Sequence, residues 1–127
     1  MKTKTPIVWF EIYVDNMERA SRFYENVLDV KLEPLSNPAT DELTMNSFPG
    51  DMDTYGANGA LVHMKGVKAG GNSTIIYFGS EDCTTEENRI ENSGGKIFRP
   101  KMSIGKYGFI TLFFDTEENM VGLHSMK

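Results

Sequence analysis

The stretch Ile7–Pro34, IVWFEIYVDNMERASRFYENVLDVKLEP, decides the fold of this chain of 127 residues. Its first part alternates apolar side chains with others, which predicts a β-strand with one buried face. The apolar face carries Val8, Phe10, Ile12 and Val14. The opposite face carries Trp9, Glu11 and Tyr13, and an acid on the second face of such a strand is unusual.

A helix follows this strand. Asp15 and Glu18 have the spacing of a capping box, which predicts a helix that begins after Asp15. Apolar side chains then recur at helical spacing, at Met17, Ala20, Phe23, Tyr24, Val27 and Leu28. We therefore expect the helix to lie back on the strand that precedes it, and a short return strand to end at Pro34.

The same pattern recurs in the second half of the chain, over Thr74–Pro100, TIIYFGSEDCTTEENRIENSGGKIFRP. A strand, a capping box at Thr84–Glu87, a helix over Thr85–Ser93 and a strand at Lys96–Arg99 are predicted in the same order. Trp9 aligns with Ile75 and Pro34 with Pro100, a constant offset of 66 positions (75 − 9 and 100 − 34). The chain therefore reads as two copies of one unit.

This repeat predicts two strand–helix–three-strand modules, residues 1–65 and 73–127, joined by a glycine-rich linker at 66–72. Neither module can bury a sheet face alone, so we expect one domain of the α+β class. Its two four-stranded sheets would curl into a cup-shaped, partly open β-barrel with the helices outside. A loop at Pro100–Gly105 would follow the strand at Lys96–Arg99.

Composition and charge exclude several classes of function. The net charge is −5 and the basic residues are scattered, so nucleic acid is not an expected partner. No apolar run approaches the ~20 residues of a membrane helix, and the beginning of the chain enters a strand without an apolar signal region. We expect a cytoplasmic protein without a membrane partner. The single cysteine, Cys83, excludes an internal disulfide and a cysteine-based zinc site.

The strand faces turned away from the helices should line the cup. By alternation these positions are Trp9, Glu11, Tyr13, Ile75, Tyr77, Gly79, Gly122 and His124. Trp9, Tyr13, Tyr77 and Phe113 on or near the cup are either a stacking wall for a planar ligand or filler that closes it. Gly122 would allow another segment or a ligand to approach its strand closely. A cup of this kind is a site for a small organic ligand by default.

Four segments carry a resemblance to a known family: WFEIYVDNMERASRFYENVLDV, IIYFGSEDC, SGGKIFRPK and FFDTEENMVGLHS. They resemble the vicinal oxygen chelate superfamily, which includes glyoxalase I, bleomycin resistance proteins and extradiol dioxygenases. The resemblance covers nearly the whole chain and is most like uncharacterised glyoxalase-related members. It implies the paired-module fold and a homodimer, which would also cover the thin apolar stripe of the second helix.

Metal-dependent members of that superfamily place a His or Glu on each of four strands. The resemblance carries these places to Trp9, Val62 or a neighbour, Ile75 and Gly122, and none of those side chains binds a divalent ion. A shift of one residue would bring in His63, but a single imidazole does not hold an ion. We therefore expect no metal and no other cofactor.

Glu11 lies two residues after Trp9, and His124 lies two residues after Gly122, so each shares a strand face with an expected ligand position. The two side chains could therefore meet across the first and last strands. This pair would act as a general acid and base in a lyase or isomerase related to lactoylglutathione lyase. Three alternatives stay open: a structural polar pair, a protein that sequesters a drug or toxic metabolite, and a metal-dependent lyase or dioxygenase that uses other ligands.

Overall fold

The computed structural model describes residues 5–35, 43–51 and 53–127. The first half contains β1 (Trp9–Tyr13), α1 (Met17–Leu28), β2 (Glu33–Leu35), β3 (Leu43–Ser47) and β4 (Asn58–Met64). The second half contains β5 (Tyr77–Gly79), α2 (Cys83–Ile90), β6 (Lys96–Ser103), β7 (Phe109–Phe114) and β8 (Met120–Ser125). Single 3₁₀ turns lie at Glu91–Ser93 and Gly105–Tyr107. The predicted linker at 66–72 lies between β4 and β5.

The strands form two four-stranded sheets with matching topology. The first sheet has the order β1-β4-β3-β2 and the second β5-β8-β7-β6. In each sheet the first strand runs parallel to its neighbour and the other pairings are antiparallel. The sheets do not close into a barrel, so the predicted α+β fold with an open cup is confirmed. β1 and β5 are edge strands.

The offset between the halves is kept where each helix begins. Met17 starts α1 and Cys83 starts α2, again 66 positions apart (83 − 17). The capping residues differ from those predicted, because Asn16 accepts a hydrogen bond from the Arg19 amide and Asp82 accepts one from the Thr84 amide. The capping boxes predicted at Asp15 and Thr84 are wrong. The side chain of Asp15 instead accepts a hydrogen bond from the linker amide of Ala69.

Two strand predictions also need correction. Val8 was expected on the buried face, but it precedes β1 and is 80% exposed. The loop predicted from Pro100 is wrong as far as Ser103, because β6 continues through this proline. Proline is tolerated there because β6 is an edge strand whose pairing with β7 is irregular between Arg99 and Met102.

The two halves share one core. The predicted stripe of α1 is buried as expected, with Ala20, Phe23, Tyr24 and Val27 at most 1% exposed. These side chains pack with core residues of the second half, such as Ile90 of α2 and Leu123 of β8. Arg89 of α2 also donates a hydrogen bond of 2.9 Å to the carbonyl oxygen of Val27 in α1. The helices therefore cover one side of the sheets and leave the other side open. No helix in the described part of the chain is long and apolar enough to cross a membrane.

The turn between β7 and β8 joins the halves through buried polar groups. The carboxylate of Glu117 accepts hydrogen bonds from the amides of Asp15 and Asn16, from the Arg19 guanidinium and from the Thr116 hydroxyl. Burial alone would raise the pKa of Glu117, but the hydrogen bonds from Arg19, Thr116 and Asn16 outweigh it and lower that pKa. The turn thus holds the N-terminus of α1 against the second half.

Candidate functional site

A cleft with a volume of about 820 Å³ lies between the edge strands β1 and β5. One wall carries Trp9, Glu11 and Tyr13, and the other carries Ile75, Tyr77 and Gly79. These are six of the eight positions predicted to line the cup. The alternation that directs Ile12 and Val14 into the core turns their neighbours on β1 toward the cleft.

Glu11 is held in place by its neighbours on the same strand face. The indole N–H of Trp9 donates to Oε2 of Glu11 at 3.1 Å, and the hydroxyl of Tyr13 donates to Oε1 at 3.0 Å. This hydrogen bond, partial burial and the nearby negative charge raise the pKa of Tyr13, in that order. The carboxylate is therefore oriented on the cleft wall, and its remaining lone pairs are available to a ligand.

Two aromatic rings that line the cleft are partly exposed to solvent. Trp9 is 41% exposed and Tyr77 is 45% exposed, so neither ring serves only as core filler. A Cβ atom at Gly122 would lie 2.5 Å from the Tyr77 ring, so the ring of Tyr77 packs directly on the Gly122 backbone. The close approach expected at Gly122 is thus made by Tyr77, while Gly122 itself does not line the cleft.

His124 is not brought to Glu11. β8 lies in the second sheet, where β5 separates it from the edge that faces β1. The Nε2 atom of His124 donates instead to the carbonyl oxygen of Tyr107 at 2.7 Å. His124 does not line the cleft either. The predicted contact between Glu11 and His124 is therefore wrong, and the two do not form an acid/base pair in this structure.

Phe113 is also placed differently from the prediction. It is fully buried in the core, where its ring centroid lies 6.1 Å from that of Phe23. Its neighbours on β7, Leu112 and Phe114, face the open side of the sheet instead. The expected position of Phe113 at the cup is wrong, because β7 is apolar on both faces and alternation does not distinguish them.

The residues present do not fit a divalent metal of the kind the superfamily uses. Register places Val62 on the open face of the first sheet, opposite Tyr13 and Met45. His63 points to the other face, and its Nδ1 atom lies 3.0 Å from the carbonyl oxygen of Val14. No group of three or more His, Cys, Asp or Glu side chains within residues 5–35, 43–51 and 53–127 could hold an ion. The four expected ligand positions carry Trp, Val, Ile and Gly.

Several cleft residues were not predicted from sequence. Tyr55 in the loop before β4, Lys68 in the linker and Met120 at the start of β8 all line the cleft. The position of Tyr55 follows from the parallel pairing of β1 and β4, because this pairing brings the loop before β4 to the end of the sheet where β1 begins. The linker lines the cleft because Asn119 accepts a hydrogen bond from the Gly70 amide and donates one to the carbonyl oxygen of Tyr13.

Comparison with known families agrees with this fold. Residues 6–123 match the Glyoxalase/Bleomycin resistance protein/Dioxygenase superfamily, and the chain belongs to this family. No curated protein matches the chain. The resemblance inferred from the sequence segments is thereby confirmed.

Solved structures share the fold at low sequence identity. Glyoxalase I from Zea mays is 23% identical with a TM-score of 0.74, over 98% of this chain and 48% of the maize chain. This chain thus spans about half the length of that enzyme. An antibiotic-binding protein from Streptomyces is 17% identical with a TM-score of 0.68, over 98% of both chains. The trypanothione-dependent glyoxalase I of Leishmania major is 18% identical with a TM-score of 0.69, over 97% of this chain and 88% of its own.

Proposed function

We propose that this protein binds a small organic molecule with a planar or apolar body in the cleft between β1 and β5, and that it sequesters this molecule. The supporting observation is the cleft of about 820 Å³ with the partly exposed rings of Trp9 and Tyr77 on opposite walls. Pockets of roughly 300–1,000 Å³ lined mainly by apolar and aromatic groups are typical small-molecule sites. Tyr13 and the fixed carboxylate of Glu11 would orient the ligand.

Sequestration fits the geometry better than the acid/base reaction considered from sequence. His124 is engaged with the Tyr107 backbone, so a proton transfer that needs both Glu11 and His124 has no assembled site. The Streptomyces protein of the same fold is named an antibiotic-binding protein, and we extend that class of function to this chain as part of the proposal. A drug or a toxic metabolite is the corresponding ligand.

An enzyme is the second candidate, favoured by one observation: the Glu11 carboxylate borders the cleft and could act alone as a base. This candidate would make the protein a lyase or isomerase that shares its fold with glyoxalase I. A metal-dependent lyase or dioxygenase receives less support, because the described residues supply too few ligands.

The test uses Trp9, the single tryptophan of the chain, as a reporter inside the cleft. The neutral fluorophore N-phenyl-naphthylamine is titrated into the protein while Trp9 emission and the melting temperature are followed. We expect saturable quenching and a higher melting temperature, because a ligand that binds only the folded state stabilises it. Mass spectrometry should recover the probe unchanged.

Matched variants locate the binding site. Tyr77→Ala should weaken binding about tenfold, because it removes an aromatic wall. Tyr107→Ala, which removes a ring of 65% exposure that does not line the cleft, should leave binding as it is. Absence of quenching by planar probes of any charge would contradict the proposal, and steady conversion of a bound molecule would favour the enzyme.

We also propose that the protein is a homodimer. Exposed apolar side chains on the open side of the second sheet, such as Phe98 and Met102, support this proposal. Dimers of this kind would enclose the open faces of the sheets. A cytoplasmic location stays a prediction from the sequence.

A further inference from the structure

The charged groups of the cleft are few. Among the described residues that line it, Glu11 is the single acid and Lys68 the single base. Both side chains are exposed to solvent, but Glu11 lies on a regular strand and accepts two hydrogen bonds. Lys68 lies in the linker, and none of the hydrogen bonds or ion pairs between described residues involves its ammonium group. A lysine ammonium on its flexible four-carbon stem has no fixed place in the cleft unless a partner holds it. The fixed charge of the cleft is therefore negative.

The surroundings of this charge favour a positive ligand group. The carboxylate lies between Trp9 and Tyr13, and Tyr77 lines the opposite wall. The faces of aromatic rings attract organic cations, with Trp the strongest of the side chains. Trp9 and Tyr13 each donate one hydrogen bond to Glu11, and a carboxylate has about four acceptor sites in total. Acceptor capacity for a ligand N–H group therefore remains.

We propose that the cleft selects organic cations: molecules with a planar or apolar body and a protonated amine or quaternary ammonium group placed at Glu11 among Trp9, Tyr13 and Tyr77. This inference rests on the proposed function and adds the charge of the ligand to it. The body of the ligand packs against Tyr77 and Ile75, and its cationic end lies at Glu11. An uncharged molecule of the same shape has the packing without the attraction.

Three probes of similar shape and different charge test this inference: N-methylacridinium, acridine and an acridine carboxylate, at a mildly alkaline pH where acridine is uncharged. Calorimetry gives the dissociation constants, and quenching of Trp9 places each probe in the cleft. We expect N-methylacridinium to bind about tenfold more tightly than acridine, and the carboxylate to bind most weakly. Added salt should weaken the cation alone.

Glu11→Gln removes the charge but keeps the size and an acceptor oxygen of the side chain. The ratio of the affinity for the cation to the affinity for acridine should fall toward one in this variant. Glu91→Gln is the control, because Glu91 is an exposed acid in the turn after α2 and outside the cleft. Lys68→Met should strengthen cation binding, because it removes a positive charge from the lining of the cleft.

The outcomes separate this inference from the function on which it rests. Equal affinities of acridine and N-methylacridinium for the unchanged protein, or a cation preference that survives Glu11→Gln, would overturn the inference and leave the proposed function standing. Cation binding that does not change with salt would also overturn the inference, and this measurement needs no variant. Failure of all three probes to quench Trp9 would overturn the proposed function, and the inference with it.

Discussion

The hydroxyl of Tyr24 lies in the core without access to solvent and donates a hydrogen bond of 2.6 Å to Oδ2 of Asp115. Burial raises the pKa of Asp115, although the hydrogen bonds from Tyr24 and Asn119 oppose that rise. Burial and the same carboxylate raise the pKa of Tyr24 well above its ordinary value. Tyr24 thus stays protonated and supplies a donor that Asp115 needs inside the protein.

Tyr24→Phe should therefore destabilise the protein by about 1–3 kcal/mol, because it removes one donor from a buried carboxylate at little change in volume. Urea unfolding measures the effect. Tyr107→Phe is the matched control, since Tyr107 is 65% exposed. Equal stability of the two variants would show that the Tyr24–Asp115 bond contributes nothing net.

Gly122 controls the position of the Tyr77 ring from beneath. The Cβ atom of Gly122→Ala would meet that ring at 2.5 Å, so the ring has to move, and its exposure leaves it free to do so. We expect binding of N-phenyl-naphthylamine to weaken about fivefold with little loss of stability. The double variant with Tyr77→Ala should bind as Tyr77→Ala does, and any further loss in the double variant would show that Gly122 acts by another route.

At the scale of elements, helix α1 owes part of its N-terminal capping to a turn about a hundred residues away. Asn16 caps the helix from within, while Glu117 accepts the amides of Asp15 and Asn16 at 2.9 Å each. Arg19 extends from the first turn of the helix and pairs with the same carboxylate at 2.7 Å. The side chain of Glu117 is fully buried, whereas that of Arg19 is 52% exposed.

Glu117→Gln should lower the free energy of unfolding by about 2 kcal/mol, because it removes the negative charge that interacts with Arg19 and with two backbone amides. Solvent around the partly exposed Arg19 limits this loss. Since the pKa of Glu117 is lowered in the folded state, its stabilisation is present above its ordinary value of 4.5 and is lost as the pH falls through the lowered value. The stability difference between the protein and this variant should therefore shrink in acid.

The contribution of Asp115 to stability depends on pH in the opposite direction, because its pKa is raised in the folded state. This contribution is present when the pH is below the ordinary pKa of the group, and it is lost as the pH rises through the raised pKa. The free energy of unfolding is measured from acid to neutral pH for the unchanged protein and for Glu117→Gln. The contribution of Asp115 is the same in both proteins, so it cancels in the difference between them. Glu118→Gln, at the exposed neighbouring position, is the control. A difference that is constant with pH would contradict the role given to Glu117.

At the scale of the whole molecule, the open side of the second sheet exposes apolar side chains to solvent. Phe98 is 52% exposed and packs edge-to-face on Phe114, and Met102 is 37% exposed on the same strand. Exposed apolar patches of this kind mark sites of association. The open faces are therefore the surface on which we expect a second copy to pack.

Sedimentation at micromolar concentration should show a dimer, and Phe98→Asp should shift the protein toward the monomer, because it places a charge in the apolar contact. Asn88→Asp adds the same charge on the exposed side of α2 and should not affect association. A monomer at high micromolar concentration would contradict the prediction.

Local patterns in the sequence were sufficient for the repeat, the helix stripe and most of the cleft wall. Alternation along β1 placed Trp9, Glu11 and Tyr13 on the face opposite Ile12, because successive side chains of a strand point to opposite sides whatever lies around them. The offset of 66 positions carried the same face to Tyr77. These features depend on neighbours within a few residues, so a sequence pattern contains them.

Contacts between distant segments were decided by the tertiary structure. Phe113 lies in the core because its pairing with Val121 sets the face of a strand that is apolar on both sides. His124 misses Glu11 because β5 occupies the edge of the second sheet. Capping of α1 depends on Glu117, which no local spacing connects to Asn16. Strand order and register come from the packing of the whole chain, and a pattern of adjacent residues does not specify them.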